Sequence, residues 1–243
     1  MASQQEIRLR ALESESLSIL DSIDSSTSKH QVDHHTNRAR RVVQTMNSIP
    51  VTQEPTTFQL QLRILKTLQR VAYHDPDSGG VKDIAQWCVH RWLILLQLQP
   101  ENWEVSKGLG HAWLLKSQQF LSQIHENDHG PASGKGKARS HSPNDKNSLH
   151  SPNYVEARAT LVPATEYFSR AVNVAESKGQ ATGELLILAA EAFMSLGNVS
   201  YPQNSEGSFI QAVLYLRKAA KIPGYRLPSH LRQYLQEYGA FVQ

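Results

Sequence analysis

The sequence predicts an all-α protein, and three observations lead to that prediction. The apolar segments are rich in Leu, Ala, Gln, Glu and Arg, which are good helix formers. Apolar residues recur at spacings of three and four, as they do on one face of a helix. The strict alternation of Val, Ile and Thr that indicates half-buried strands is missing. With 40% hydrophobic residues among 243, the chain can also bury a core.

Residues 1–50 are predicted to hold two helices and a polar linker. The first helix covers about Gln4 to Asp24, because its Leu and Ile residues share one face and its Glu and Ser residues share the other. Residues 25–35 are polar and are interpreted as a linker, and the second helix covers about Thr36 to Met46. We expect this segment to precede a helical domain that covers residues 51–243.

Further helices are predicted along the rest of the chain. Their apolar stripes place them at about Thr56 to Tyr73, Val81 to Leu98, 103–125, Tyr154 to Ser177, Gly183 to Leu196, Ser208 to Lys221 and Pro228 to Tyr238. The helix from Val81 to Leu98 is apolar over most of its surface, which predicts that it is buried between neighbours.

Residues 126–153 differ sharply from their surroundings. They are mostly Gly, Ser, Pro, His, Asn and Lys, and such a segment buries too little apolar surface to offset its ordering entropy. We therefore predict a disordered loop. Ser142 and Ser151 each precede a proline there, so we expect them to be substrates of a proline-directed kinase.

The residues that follow Pro100 are spaced as in a helical repeat. Leu109, Gly110 and Trp113 follow that proline at the positions that a known repeat pattern requires. This arrangement resembles the start of a tetratricopeptide repeat, in which a proline closes one repeat and helix A of the next carries Leu-Gly-x-x-Tyr. In that family the glycine lets helix B approach helix A closely.

The family's helix B pattern, Ala-x-x-x-Phe-x-x-Ala, is matched in spacing three times. The matching residues are Cys88, Trp92 and Leu95; Ala164, Phe168 and Ala171; and Ala212, Leu216 and Ala219. The resemblance covers about Val81 to Gly224. It implies antiparallel helix pairs stacked as a short TPR-like α-solenoid, with the disordered loop inside the first pair and an insertion around Tyr201-Pro202 inside the second. A capping helix at 228–238 would cover the end of the stack.

The resemblance implies a function in binding another protein. In the family, helix A lines a concave groove that holds a partner peptide or helix. In the register given above, the groove residues would be Trp103, Ser106, Lys107, His111, Leu186 and Ala190. We therefore expect a non-catalytic adaptor or scaffold subunit that needs no cofactor and no metal.

A basic C-terminal face offers the first alternative. The cationic residues from Arg217 to Arg232 could touch nucleic acid as part of a nuclear or DNA-associated complex. A net charge of +3 is small, and few aromatic residues are interleaved for base stacking, so solvated helix faces are the preferred interpretation.

A zinc-dependent hydrolase is the second alternative. His125-Glu126-Asn127-Asp128-His129 matches H-E-x-x-H, in which two histidines bind zinc and the glutamate activates a water molecule. Gly130-Pro131 ends any helix at that point, and the predicted loop follows, so no rigid scaffold holds the ligands. We therefore prefer the non-catalytic interpretation.

The single cysteine and the lack of long apolar runs indicate in which cellular compartment the protein is expected. Cys88 cannot form an intramolecular disulfide, and its position on an apolar face predicts core packing. The polar start of the sequence lacks the apolar core of a signal peptide, and no apolar run is long enough to span a bilayer. We expect a cytoplasmic or nuclear protein with no membrane contact.

Overall fold

The computed structural model describes residues 3–129 and 148–242, and every regular element within those ranges is helical. The helices are α1 (Gln4–Asp24), α2 (Lys29–Asn47), α3 (Pro55–Ala72), α4 (Lys82–Leu98), α5 (Trp103–His129), α6 (Pro152–Ser177), α7 (Gly183–Val199), α8 (Pro202–Ala220) and α9 (Ser229–Tyr238). Short 3₁₀ turns cover Ser148–His150 and Gly239–Phe241. The predicted all-α class is confirmed. In the part of the chain that the structure describes, no helix is both long and apolar enough to cross a membrane.

Helix α2 begins earlier than the sequence analysis predicted. Residues 29–35 are helical rather than a linker, because Ser28 and Gln31 form a capping box. The Ser28 hydroxyl accepts the backbone N–H of Gln31 at 3.3 Å, and the Gln31 side-chain oxygen accepts the N–H of Ser28 at 3.2 Å. Two of the unsatisfied N–H groups at the helix start are thereby paired, and this offsets the polar composition of the first turns.

The turn between α7 and α8 is tighter than predicted. The expected insertion around Tyr201-Pro202 is wrong, because α7 continues to Val199 and α8 already begins at Pro202. A proline suits the first helical position, since its fixed φ is helical and its missing N–H would be unpaired there in any case. The two helices therefore pack as an antiparallel pair joined only by Ser200 and Tyr201.

The predicted loop is also shorter than 126–153. Helix α5 continues through residue 129, and α6 begins at Pro152. Ser151 is the half-buried N-cap residue of α6, so it belongs to a helix terminus rather than to a disordered segment. The rest of the predicted loop, residues 130–147 with Ser142, lies outside the described residues.

The chain divides into two compact units, residues 1–112 and 113–243. The boundary predicted near residue 50 does not separate two bodies, because α1 and α2 pack against α3 within the first unit. Arg38 of α2 pairs with Glu15 of α1 at 2.8 Å, and Arg63 of α3 pairs with Glu13.

Helix α3 forms the centre of the first unit. Residues 60–62 and 67–69 are all buried, and consecutive residues of a helix point about 100° apart, so α3 is covered over more than half of its circumference, while Gln59, Arg63 and Arg70 form an exposed stripe. The apolar composition of α4 predicted burial between neighbours for that helix instead. On α4, Cys88 and Trp92 are fully buried, whereas Leu93 is 38% exposed.

Two buried polar side chains of α3 connect it to its neighbours. Gln69 accepts the indole N–H of Trp92 at 2.7 Å and donates to the carbonyl of Gly108 at 3.4 Å. Gln61 accepts from the guanidinium of Arg91 at 3.2 Å, and that guanidinium also donates to the carbonyl of Ile49 at 3.0 Å. Buried polar groups of this kind are costly unless paired, so they fix the register of α3, α4 and α5.

Small residues are frequent in the core of the second unit, beside larger apolar side chains. Ala164, Phe168 and Ala171 of α6 are fully buried, and so are Ala212 and Ala219 of α8. Small side chains allow the helices to approach closely, and the larger rings fill the space that remains.

Arg158 of α6 fastens the start of this unit. It donates to the carbonyls of Leu149 and Val199, each at 2.7 Å, and its guanidinium lies 4.8 Å from the centre of the Tyr201 ring. The Tyr201 hydroxyl in turn is 3.1 Å from a ring nitrogen of His150. The residues just before α6 are therefore tied to the turn between α7 and α8.

Candidate functional site

The groove residues predicted from the sequence fall into two groups. Trp103, Lys107 and His111 are half-buried on α5 in the first unit, and each makes contacts within the chain. The ring nitrogen Nδ1 of His111 lies 3.4 Å from the buried amide of Gln69, so this histidine belongs to the polar connection between α3 and α5.

Three of the predicted groove residues need correction. Ser106 and Ala190 are 0% exposed and Leu186 is 1% exposed, so none of them presents a surface to a partner. The repeat register placed them on a concave face, but α5 and α7 turn these side chains into the helical core.

A groove in the second unit has the composition of a binding surface. We call it the aromatic groove, and it has a volume of about 490 Å³. Its lining residues are Asn198, Ser205, Glu206, Phe209, Ile210, Val213, Tyr234, Tyr238 and Val242. Most of this lining is apolar or aromatic, with three polar groups, a pattern that is typical of binding sites.

Helix α9 supplies one wall of the aromatic groove. Its only fully buried side chain among those described is Leu231, and α9 packs against α8. Tyr234 and Tyr238 lie one turn apart, with ring centres separated by 4.7 Å. Burial, and to a lesser extent Tyr238, raises the pKa of the Tyr234 hydroxyl. Tyr238 is 49% exposed, so a large amphipathic ring is left open to contact.

Helix α8 forms the base of the aromatic groove, and Gly197 of α7 allows the Phe209 ring of α8 to pack against it. Phe209, Ile210 and Val213 follow each other at helical spacing along α8. A Cβ atom built on Gly197 would lie 2.7 Å from the Phe209 ring, closer than real Cβ contacts allow. Only a glycine therefore lets the Phe209 ring occupy this place.

Arg217 holds the C-terminal residues that complete the groove. Its guanidinium donates to the carbonyl of Gly239 at 2.6 Å and also to the carbonyl of Val242. Val242 is one of the lining residues, so Arg217 helps to position the part of the groove that Val242 forms. The sequence predicted a solvated helix face for this arginine, with a basic binding face as the alternative, whereas in the structure it contacts backbone carbonyls.

The basic C-terminal face is further reduced by an ion pair. The ammonium group of Lys218 lies 2.7 Å from the carboxylate of Glu176 on α6. Lys218 itself stays exposed, as do Lys221, Arg226 and Arg232.

The H-E-x-x-H segment lies near the end of α5. His125 and Glu126 are exposed, and the side chain of His129 is outside the described set. Among the side chains that the structure describes, no group of three from His, Cys, Asp or Glu is arranged to hold a metal ion.

Cys88 lies in the core, as predicted. Its thiol is fully buried on α4, and this burial raises its pKa far above the ordinary value. A thiol that stays protonated is a poor nucleophile, so this residue contributes packing rather than chemistry.

Sequence reasoning did not find the aromatic groove. One available signal was the spacing of Tyr234 and Tyr238, which puts two large rings on one flank of a short helix. The other was Gly197, whose role depends on a ring from the neighbouring helix that no local pattern reveals.

Comparison with known proteins gives no relative from which a function could be transferred. The chain matches no protein-family model, and no curated protein or solved structure matches it significantly.

Proposed function

We propose that this protein is a non-catalytic protein-interaction module, an adaptor or scaffold subunit, that binds a partner segment in the aromatic groove. The observation that carries the proposal is the groove itself, about 490 Å³ in volume and lined by three aromatic rings and three aliphatic side chains. Tyrosine and phenylalanine are enriched in protein interfaces, where they bury much area at little cost in conformational entropy.

The polar rim of the groove indicates the chemistry of the partner. Glu206 is exposed and is the one residue with an acidic side chain in the lining, beside Asn198 and Ser205. A complementary segment carries an apolar or aromatic anchor for the rings and a Lys or Arg for Glu206. Pockets of this volume accept one or a few side chains, which suits a short peptide or one face of a helix.

Among the described residues, the titratable groups with the most strongly shifted pKa values, Glu54, Tyr73 and Cys88, lie outside the lining of the groove, and this favours binding over catalysis. Burial raises the pKa of Cys88 and of Tyr73, the latter to about 12, and both side chains belong to the core of the first unit. Catalytic sites usually bring such groups into a cleft. A buried free thiol also suits the reducing cytoplasm or nucleus, where we place the protein.

We further propose that α7 and α8 form a tetratricopeptide-like helix pair. The tight turn at Ser200 and Tyr201 and the close approach at Gly197 support this proposal. The buried Ala212 and Ala219 of α8 agree with the small residues of the helix B pattern.

A peptide-library selection against the intact chain tests the proposed function. Peptides displayed on phage are selected on the wild-type protein and then counter-selected on the Tyr238→Glu variant, which places a charge among the rings. The matched control is Val162→Glu, because Val162 is an exposed apolar residue of the same unit that lies outside the groove lining. We expect enriched peptides with an aromatic or Leu residue close to Lys or Arg.

The affinities of those peptides then decide the question. We expect Tyr238→Glu to weaken their binding by about tenfold or more, and Val162→Glu to leave it within about twofold. Selected peptides that bind all three proteins equally, or a library without enrichment, would show that the aromatic groove is not a docking site.

A further inference from the structure

A second pocket lies on the other flank of α9. We call it the arginine pocket, and it has a volume of about 470 Å³. Its lining residues are Ala220, Tyr225, Arg226, Leu227, Arg232, Leu235 and Gln236. We propose that it binds an acidic segment of a protein partner, through carboxylates held by Arg226 and Arg232. This proposal does not depend on the aromatic groove.

The geometry of α9 separates the two pockets. Leu231 is buried, which fixes the side of α9 that faces the second unit. Arg232 and Leu235 line the arginine pocket, whereas Tyr234 and Tyr238 line the aromatic groove. Helical periodicity alone produces this division, because residues 232 and 235 project on one side of Leu231 and residues 234 and 238 on the other.

No ion pair with a described residue engages the two arginines of the pocket. Arg226 and Arg232 are exposed, and neither guanidinium group makes a hydrogen bond or ion pair with the part of the chain that the structure describes. Arg217 and Lys218 differ in this respect, since backbone carbonyls and Glu176 occupy them. Two unengaged guanidinium groups on one concavity form a site for anions, and guanidinium geometry matches a carboxylate in two parallel hydrogen bonds.

The remaining lining determines which anion fits. Ala220, Leu227 and Leu235 add apolar surface to the pocket that the two arginines line. A free inorganic ion would leave that apolar surface exposed to water, whereas a peptide with an Asp or Glu next to a Leu-sized side chain would bury it. Apolar contact combined with charge pairing therefore points to an acidic, leucine-containing segment.

Nucleic acid fits the lining less well. Its bases stack on exposed aromatic rings, and the ring in this pocket, Tyr225, is half-buried against Gly183. Burial raises the pKa of the Tyr225 hydroxyl, and the carboxylates of Glu184 and Glu191 raise it further. These two carboxylates do not line the pocket, but their field opposes a polyanion more than a segment with two or three charges.

Nuclear magnetic resonance titration of the intact chain tests this proposal. The probe is the N-acetylated, C-amidated peptide Asp-Leu-Glu-Leu-Asp, and its control is the isosteric peptide Asn-Leu-Gln-Leu-Asn. A third probe is an oligothymidylate of about twelve nucleotides. The variant carries Arg226→Gln and Arg232→Gln, and its matched control is Lys221→Gln, an exposed cation outside the lining.

We expect the acidic peptide to shift the backbone amides of Ala220, Leu227 and Leu235, and the neutral peptide to leave them unchanged. The double variant should weaken the binding by at least about tenfold and Lys221→Gln by less than about threefold. Both arginines are exposed, so the variant should unfold at the wild-type temperature. Unchanged amides with the acidic peptide, equal shifts in the double variant, or tighter binding of the oligonucleotide would each overturn the proposal.

Discussion

The ring of Phe209 lies against Gly197, so close that a Cβ atom at Gly197 would come within 2.7 Å of a ring carbon. Gly197 lies near the end of α7, and Phe209 lies in α8 and lines the aromatic groove. The packing of two helices and the shape of the proposed docking surface therefore depend on one missing methyl group.

Gly197→Ala is predicted to disturb both the fold and the groove. The added Cβ must displace the Phe209 ring, and overpacking of this kind costs about 1–3 kcal/mol. We expect a lower midpoint of urea unfolding and weaker binding of groove-selected peptides. Gly207→Ala is the control: Gly207 lies in α8 with open space around its Cα, so alanine should stabilise the helix by up to about 1 kcal/mol. Equal stability of the two variants would show that Phe209 has room to move.

Gln69→Leu is predicted to destabilise the first unit. The indole N–H of Trp92 would lose its acceptor while it remains buried, and an unpaired buried donor costs about 1–3 kcal/mol. Adding Trp92→Phe removes the orphaned donor. The double variant should therefore lose less stability than the sum of the two single variants. Additive losses in this double-mutant cycle, measured by urea unfolding, would contradict a coupled pair.

Arg217→Gln is predicted to release the C-terminal residues. The carbonyls of Gly239 and Val242 would lose a charged donor, so hydrogen exchange at residues 239–242 should become faster. Peptides that bind the aromatic groove should bind more weakly, because Val242 forms part of the wall. Lys218→Gln, which removes a solvent-exposed ion pair of α8, should leave both properties close to wild type. Unchanged exchange in Arg217→Gln would mean that other contacts hold the C-terminal residues.

Glu191→Gln is predicted to stabilise the protein at neutral pH. Burial raises the pKa of the Glu191 carboxyl, while His230 opposes the shift. Ionisation therefore costs more in the folded state than in the unfolded state, and wild-type stability falls as the pH rises through the folded pKa. The advantage of Glu191→Gln should be largest above the folded pKa, where the carboxyl is ionised in both states, and should vanish below the ordinary pKa of 4.5, where it is protonated in both states. Urea unfolding across this pH range tests whether the stability advantage of Glu191→Gln grows as the pH rises. A constant difference in unfolding free energy between the two proteins at all pH values would refute the prediction.

The sequence predicted the helices well where apolar periodicity and caps agree. The predicted bounds of α1 match the structure, and α3 and α4 are shifted by one residue at their starts. The errors arose where polar residues form helix starts. Ser28 with Gln31 and Tyr201 with Pro202 are cap signals, but polar composition suggested a linker and an insertion at these places.

The candidate site was much harder to predict than the fold. A repeat register placed Leu186 and Ala190 on a surface, but apolar residues on both faces of α7 allowed more than one orientation of that helix. The aromatic groove is formed by residues of α7, α8, α9 and the segment after α9. The sequence pattern of any one of these segments does not show that they come together. Arg217 shows the same limitation, because a cation near a helix end gives no indication of whether it faces solvent or backbone carbonyls.

The most direct test of the proposed function is the affinity of groove-selected peptides for the wild-type chain, Tyr238→Glu and Val162→Glu. The three affinities are measured by titration calorimetry, after thermal unfolding has shown that all three proteins are folded. We predict that Tyr238→Glu binds about tenfold more weakly or worse, and that Val162→Glu binds as the wild type does. Equal binding by Tyr238→Glu and the wild type would contradict the assignment of the aromatic groove as the partner-binding surface.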